Sequence, residues 1–408
     1  MRRAVFVAPF YLDATVRFLR AAAGLPGVRL AVVSSEPAEK LPAAVAGRLA
    51  GYRRIGNALD SRALAAAAAD LAGDLGGPAE RLLGVLEHLQ VPLAEARERL
   101  GIEGMSVEAA HNFRDKSRMK DVLRAAGVPC ARHRLASNPA EAEAFAREVG
   151  FPLVVKPPAG AGARATHRLE GAADLAQALG LFRPAPDRPL LLEEFLLGAE
   201  HSFDSVFVRG EPVWHSLTRY LPTPLETLEN PWIQWCVLLP REVDDPRYDD
   251  VRRVAFHAVA ALGMGTGVSH LEWFRLRDGR VAVSEVAARP PGAQIVPLIS
   301  YAHDLDFFRA WARLAVFDEF EPPARRWAAG AAFLRGQGRG KRVAAVRGLE
   351  EAQREIGALV VEAKLPRRGQ PAAGTYEGEG YVIVRHPETA VVERALHRLV
   401  SLIRVDLQ

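Results

Sequence analysis

The sequence predicts an α/β protein in three parts, on three observations. Residues 1–35 read strand, helix, strand. The middle of the chain alternates helices with short apolar strands. Further on, an Asp-Gly pair stands between two β-rich runs. A length of 408 residues suits two or three units, each large enough to bury a core. Hydrophobic residues make up 49% and charged residues 25%, which is ordinary for a globular chain.

Taken in order, Ala4–Ala8 and Arg29–Ser34 read as strands flanking the helix Thr15–Ala23. One such βαβ unit implies a parallel sheet. Helical stretches over Ser61–Asp74, Ala79–His88 and Leu93–Leu100 complete a first unit, 1–110. No GxGxxG follows the first strand, so nothing there supports a dinucleotide site.

A second unit, 111–320, opens with the helix Asp115–Ala126, where Met119, Val122, Leu123 and Ala126 keep helical spacing and Gly127 and Pro129 end it. The next helix has Asn138 as N-cap, Pro139 in its first turn, Glu141 completing a capping box and Gly150 as its stop. A strand Phe151–Lys156 runs into the small-residue loop Pro157–Thr166. A helix near Ala172–Leu179 and a strand Leu190–Phe195 follow. His201–Val208 and Glu211–Leu217 read as a hairpin about Arg209-Gly210. Thr218–Arg241 is rich in Pro and Trp without a period, and Asp250–Leu262 is an amphipathic helix. In a third unit, 321–408, strands are expected at Ala328–Leu334, Lys341–Val346 and Tyr381–Arg385, and helices at Glu350–Ile356 and Thr389–Ile403.

The net charge of +4 and a pI near 9.2 are spread along the chain without a Lys/Arg block, so no nucleic-acid arm is expected. No apolar run approaches the roughly 20 residues that span a bilayer, so no membrane partner is expected either. Cys130 and Cys236 stand far apart with no CxxC pair. That argues against a disulfide scaffold or zinc ribbon and suits a reducing cytoplasm.

The hairpin of Val268–Phe274 and Val281–Ala287 carries the most chemistry. Asp-Gly between apolar, β-rich runs is the strongest short hairpin signal. With Asp278-Gly279 as a two-residue turn, Arg277 pairs with Arg280, and counting outward sets Glu272 opposite Glu285. Opposed Cβ atoms are only ~4.5–5.5 Å apart, where like charges repel. Such a pair needs a counter-ion, and Mg²⁺, which takes carboxylate oxygens and shares them with phosphates, is the natural one. An exposed hairpin with solvated glutamates is the bland alternative.

Three weaker signals precede it. Lys156 ends an apolar strand and enters a loop containing Gly160 and Gly162, where small side chains let backbone amides approach phosphate oxygens. It is not a Walker loop, and taken alone it reads as a flexible turn. Lys116 stands in the first turn of its helix, where a cation opposes the dipole and an anionic partner would compensate. The strand running through Glu193, Glu194, Phe195 and Leu196 to Glu200 can read an adenine with its backbone and a ribose with the last glutamate, or can simply be a core strand with a solvated end.

Together, in this order, the motifs resemble the ATP-grasp superfamily. The resemblance runs from Asp115-Lys116-Ser117, through Phe151–Pro157, to the segment Ser284–Gly292, and covers about 110–320. Its branch is that of the biotin carboxylase-like and L-amino acid ligase-like carboxylate–amine ligases. The resemblance implies a Rossmann-like domain before the ATP-grasp domain, a lid over about 130–200, and a trailing α+β domain. It further implies ATP with Mg²⁺ or Mn²⁺ as cofactors, and small-molecule carboxylate and amine substrates joined through an acyl-phosphate with release of ADP; a homodimer stays open. Lys116, Lys156, Gly160 and Gly162 would hold phosphates. Glu193 to Leu196 would form the adenine hinge, Glu200 would meet the ribose, Glu272 and Glu285 would bind metal, and Arg289 would hold the acyl side.

One departure stands out. The family places Asn two residues after the second glutamate, and here that position is Ala287. In the counted register His270 lies opposite it, so His270 or a water fills the gap, or His270 is packed or faces substrate. A bicarbonate-activating enzyme and a nucleotide-binding regulator without catalysis remain as competing readings. Thr218–Arg241, with Arg219, Tyr220, Trp232 and Trp235, is a candidate substrate wall or plain core.

Overall fold

A computed structural model describes residues 1–158, 166–230 and 233–408. The first unit is a four-stranded parallel sheet. Arg2–Val7 and Val28–Ser34 pair at its centre, Gly51–Arg54 lies outside the latter, and Arg81–Leu83 lies on the far side of the first strand. The stretch Ala79–His88, expected to be helical, contains that last strand and the short turn Glu87–Leu89 instead. An apolar run this short has no readable period, and pairing of Arg81–Leu83 with Ala4–Phe6 decides its state.

The segment expected as a lid forms a separate antiparallel sheet of His133–Ala136, Leu190–Glu194, Leu153–Lys156 and His167–Leu169, backed by the helices Pro139–Val149 and Ala172–Phe182. Asn138 caps the first of these by accepting from the Glu141 N–H at 3.0 Å, while Glu141 bonds the Ser137 N–H at 2.7 Å. Phe145, Leu153, Val155 and Leu192 fill the space between helices and sheet.

An eight-stranded sheet forms the body of the molecule. It starts from the hairpin of Gly267–Leu276 and Val281–Ala287 and passes through Gly198–Val208, Glu211–Leu221 and Trp235–Leu239. It then continues into Ala328–Leu334, Gly380–His386 and Val360–Lys364. Two of the three strands expected after residue 320, Ala328–Leu334 and Gly380–His386, thus continue this sheet. Arg404–Leu407 and Val343–Arg347 form a small sheet of their own with Gly336-Gln337.

Helices Ile295–His303 and Phe307–Phe317 weld the first unit to this body. Phe18 meets Phe308 and Trp311 edge-on, with centroids 4.7 and 4.9 Å apart, and one core cluster runs from Phe6 to Phe333. Among the described residues no helix is long and apolar enough to cross a membrane.

The hairpin reaches the expected pairing by an unexpected route. Its loop has three residues, Arg277-Asp278-Gly279, closed by Leu276 and Arg280, with Gly279 at φ 84° in the left-handed region. That shifts the register by one, so Arg275 faces Val281. A bulge at Ser284 shifts it back, and Glu272 does face Glu285, as His270 faces Ala287.

Gly198 starts the strand that leads to Glu200. A Cβ there would lie 2.1 Å from the Arg275 carbonyl oxygen. Gly198→Ala is expected to cost about 2 kcal/mol in urea denaturation, the scale of a buried steric conflict. A mutant as stable as the parent contradicts this strand contact.

Candidate active site

The site lies where the lid faces the large sheet, in a cleft of about 1370 Å³ that opens to solvent. Helix Lys116–Ala125 passes beneath it. Lys116 and Lys120 are four residues apart and so share a face of that helix, on the side of Met119 and Leu123. Asp115 caps the helix through the Ser117 and Arg118 N–H groups. The Lys116 ammonium pairs with Glu285. Lys120, wholly buried, donates to the Ser284 carbonyl at 2.7 Å, the carbonyl of the bulge, and lies 3.5 Å from Glu193.

Lys156 ends its lid strand with its ammonium 2.9 Å from the other oxygen of Glu193. Glu193 is buried. Burial alone would raise its carboxyl, but Lys120 and Lys156 hold it below the usual range. The two lysines shift oppositely. At Lys120 burial wins and lowers the ammonium. At Lys156 burial is outweighed by Glu193 and Glu285, which raise it. Glu285 likewise resists burial, and Lys116 and Lys156 hold it at about 2.

In this structure Glu285 is therefore paired with a lysine, while Glu272 has the His270 imidazole 3.7 Å away. Among the described residues no three His, Cys, Asp or Glu side chains are arranged to hold a metal as they stand. The donor chemistry still fits a divalent cation, because Glu272 and Glu285 offer oxygens on adjacent strands to a hard ion that also takes phosphate oxygens. Glu200 is buried, and burial followed by the Glu272 charge pushes its carboxyl well up.

The strand end beside the lid is arranged as follows. The Glu193 side chain turns to the lysines. The Glu194 carboxylate takes a two-point contact from Arg132, at 3.1 and 3.2 Å. The Phe195 ring lies under the Arg168 guanidinium, 4.3 Å from its centroid, and Phe195 and Leu196 both line the cleft. Gly160 and Gly162 lie outside the described residues, as does Trp232.

Arg289 lines the far end, with its fork already on a carboxylate: Nε and Nη2 each lie 3.1 Å from Glu87 Oε2. Arg114 reaches the other oxygen of Glu87 at 3.0 Å. The cleft also has an aromatic and apolar wall, built by Tyr220, Leu225, Trp235, Ile295 and Tyr376. Tyr220 and Trp235 come from Thr218–Arg241, which resolves into the end of one strand, the short helix Pro224–Glu229 and the strand Trp235–Leu239. Arg219 is not in this wall; it donates to the Tyr248 hydroxyl at 2.7 Å.

Lys120, Glu87 and Asp204 were not anticipated. Lys120 had a signal, one helical turn beyond Lys116. Glu87 follows the C-terminal end of the strand where the parallel sheet reverses its order, the usual place for a ligand, but a helical reading of Ala79–His88 conceals it.

The candidate site thus lies between a small sheet and a larger one, and the comparisons with known proteins bear on the domain that carries it. Residues 121–299 match the model of the ATP-grasp domain. Those residues thus form an ATP-grasp domain. The chain is 26% identical over 246 residues to the L-arginine-specific L-amino acid ligase of Bacillus subtilis, a match covering 59% of each chain. It spans about half the length of the first curated relatives it matches, 45% and 59%, and 21% of a carbamoyl phosphate synthase large chain. A solved L-amino acid ligase from Bacillus licheniformis shares the fold, with a TM-score of 0.79 at 18% identity over 100% of this chain and 99% of that one. The biotin carboxylase domain of the Hydrogenobacter thermophilus 2-oxoglutarate carboxylase, solved with MgADP and bicarbonate, has a TM-score of 0.67 at 16% identity, covering 98% and 90%.

Lys120→Met removes one of two cations from a buried carboxylate and strands the Ser284 carbonyl. It is expected to cost about 3 kcal/mol in denaturant unfolding, whereas Lys116→Met, whose partner is less buried, costs about 1 kcal/mol. Equal losses would show that Lys120 does not lock the site.

Proposed function

We propose that the chain is an ATP-dependent carboxylate–amine ligase that forms an amide bond through an acyl-phosphate and releases ADP and phosphate. One observation carries the reading. Lys116, Lys156 and an opposed pair of carboxylates share a cleft with Arg289 and an apolar, aromatic wall. The cationic end suits a triphosphate, and the wall suits an organic acid far larger than bicarbonate.

In this reading the lysines neutralise the phosphoryl oxygens, and phosphate replaces Glu285 as the partner of Lys116. Mg²⁺, held by Glu272 and Glu285, would neutralise phosphate charge and bridge it to the protein. Backbone groups of Glu194 to Leu196 would read the adenine, and Glu200 the ribose. The substrate carboxylate attacks the terminal phosphorus, the bond to the bridging oxygen breaks, and ADP leaves. The amine nitrogen then attacks the acyl carbon, loses a proton, and phosphate departs. Arg289, oriented by Glu87, stands at the acyl end, where a guanidinium can accept a second carboxylate or the transferred phosphoryl group. The lid over the cleft would keep water from the acyl-phosphate.

Lys156→Ala should weaken ATP binding at least tenfold by calorimetry with unchanged circular dichroism, the scale of one lost charge-assisted contact. Unchanged affinity rules out this phosphate site.

A screen of carboxylate and amine pairs should reveal substrate-dependent ADP. With the right acid, hydroxylamine should trap a hydroxamate without the natural amine, and Arg289→Ala should suppress trapping more than ATP binding. AMP among the nucleotide products, or turnover that requires bicarbonate, would refute the ligase proposed here.

A further inference from the structure

The strands Gly198–Val208, Gly267–Leu276 and Val281–Ala287 lie side by side, and paired residues share a face. Asp204 pairs with His270, His270 with Ala287, and Glu272 with Glu285. One face therefore presents two carboxylates and, two residues along, an imidazole. The fourth corner, Ala287, offers only a methyl group. His270 is 7% exposed and Asp204 wholly buried.

The imidazole is fixed from behind. Its Nδ1 lies 2.7 Å from Asp204 Oδ1, and the second Asp204 oxygen lies 3.4 Å from the Ser202 hydroxyl. Its Nε2 faces Glu272 Oε1 at 3.7 Å, beyond hydrogen-bonding range. A carboxylate on one ring nitrogen, with the other turned toward an oxygen donor, is how proteins set the tautomer and aim of a metal-ligating histidine.

We propose that His270 Nε2 is a ligand of the cation held by Glu272 and Glu285, with Asp204 as its orienting carboxylate, and that this nitrogen turns the site from Mg²⁺ toward Mn²⁺. The proposal rests on the metal reading of the glutamate pair. As they stand the three donors do not form a metal cluster: Lys116 holds Glu285, and despite burial Asp204 and then Glu272 favour the protonated imidazole, so the cation would have to displace Lys116 and take the place of the Nε2 proton. A nitrogen in the set favours a first-row transition ion, since Mg²⁺ keeps to oxygen and gives up water reluctantly.

The test is pulsed EPR of Mn²⁺ on the full chain, labelled with ¹⁵N-histidine, with a non-hydrolysable ATP analogue. Titrations of Mn²⁺ and Mg²⁺ accompany it. A ¹⁵N coupling is expected in the parent protein and should vanish in His270→Ala. That variant should bind Mn²⁺ about tenfold more weakly while its Mg²⁺ affinity changes far less. Asp204→Asn should keep the coupling and weaken Mn²⁺ by about tenfold, the scale of a lost outer-shell partner. Absence of the coupling in the parent protein, which needs no variant, overturns the ligand assignment. If Glu272→Gln still abolishes Mn²⁺ binding in that case, the metal reading of the glutamates stands without His270. If Glu272→Gln binds Mn²⁺ as the parent does, both fail.

Discussion

Everything in the cleft depends on keeping like charges from facing one another unpaired. Four carboxylates and three ammonium groups meet in a partly dry space, where an uncompensated charge costs several kcal/mol. Glu193 takes Lys120 and Lys156, and Glu285 takes Lys116. These contacts tie three pieces that share no backbone ladder: the lid, the helix beneath it and the hairpin edge of the large sheet. The site is thus preassembled by its own charges, and in the proposed function a ligand bringing phosphates would substitute for partners already in place.

The lysines are not equivalent in this scheme. Lys120 reaches into the bulge at Ser284 and is sealed from solvent. It acts on the geometry of the Val281–Ala287 strand, because the bulge sets the phase of Glu285. Lys116 and Lys156 line the cleft and can exchange partners. A helix that places two lysines one turn apart thus buries one beneath the sheet and presents the other to the cleft.

The residues that the sequence reveals are those whose signal is local. Asn138, Glu141 and Gly150 announce their helix because caps work within a few residues. Asp278-Gly279 announces the hairpin for the same reason. The Glu272–Glu285 pairing was legible through two departures that cancel, a three-residue loop and a bulge, neither visible in the residues. What stayed hidden depends on distant contacts. The strand Arg81–Leu83 exists because Ala4–Phe6 lies beside it, and Glu87 was lost with it. Asp204 looks like any polar residue on a strand until His270 is placed against it. The course of the sheet past residue 320 was illegible because a strand carries no mark of which neighbour it will find.

That continuous sheet sets an order of assembly during synthesis. Trp235–Leu239 forms part of the apolar wall, yet one of its edges is satisfied only by Ala328–Leu334, which leaves the ribosome much later. Until then the nascent chain carries an open, hydrophobic strand edge of the kind that invites wrong partners. The lid and the first parallel sheet can close early from nearby residues, but the body of the molecule cannot. Its slow step is a long-range pairing, and the nascent protein is most exposed to aggregation just before the last quarter of the chain arrives.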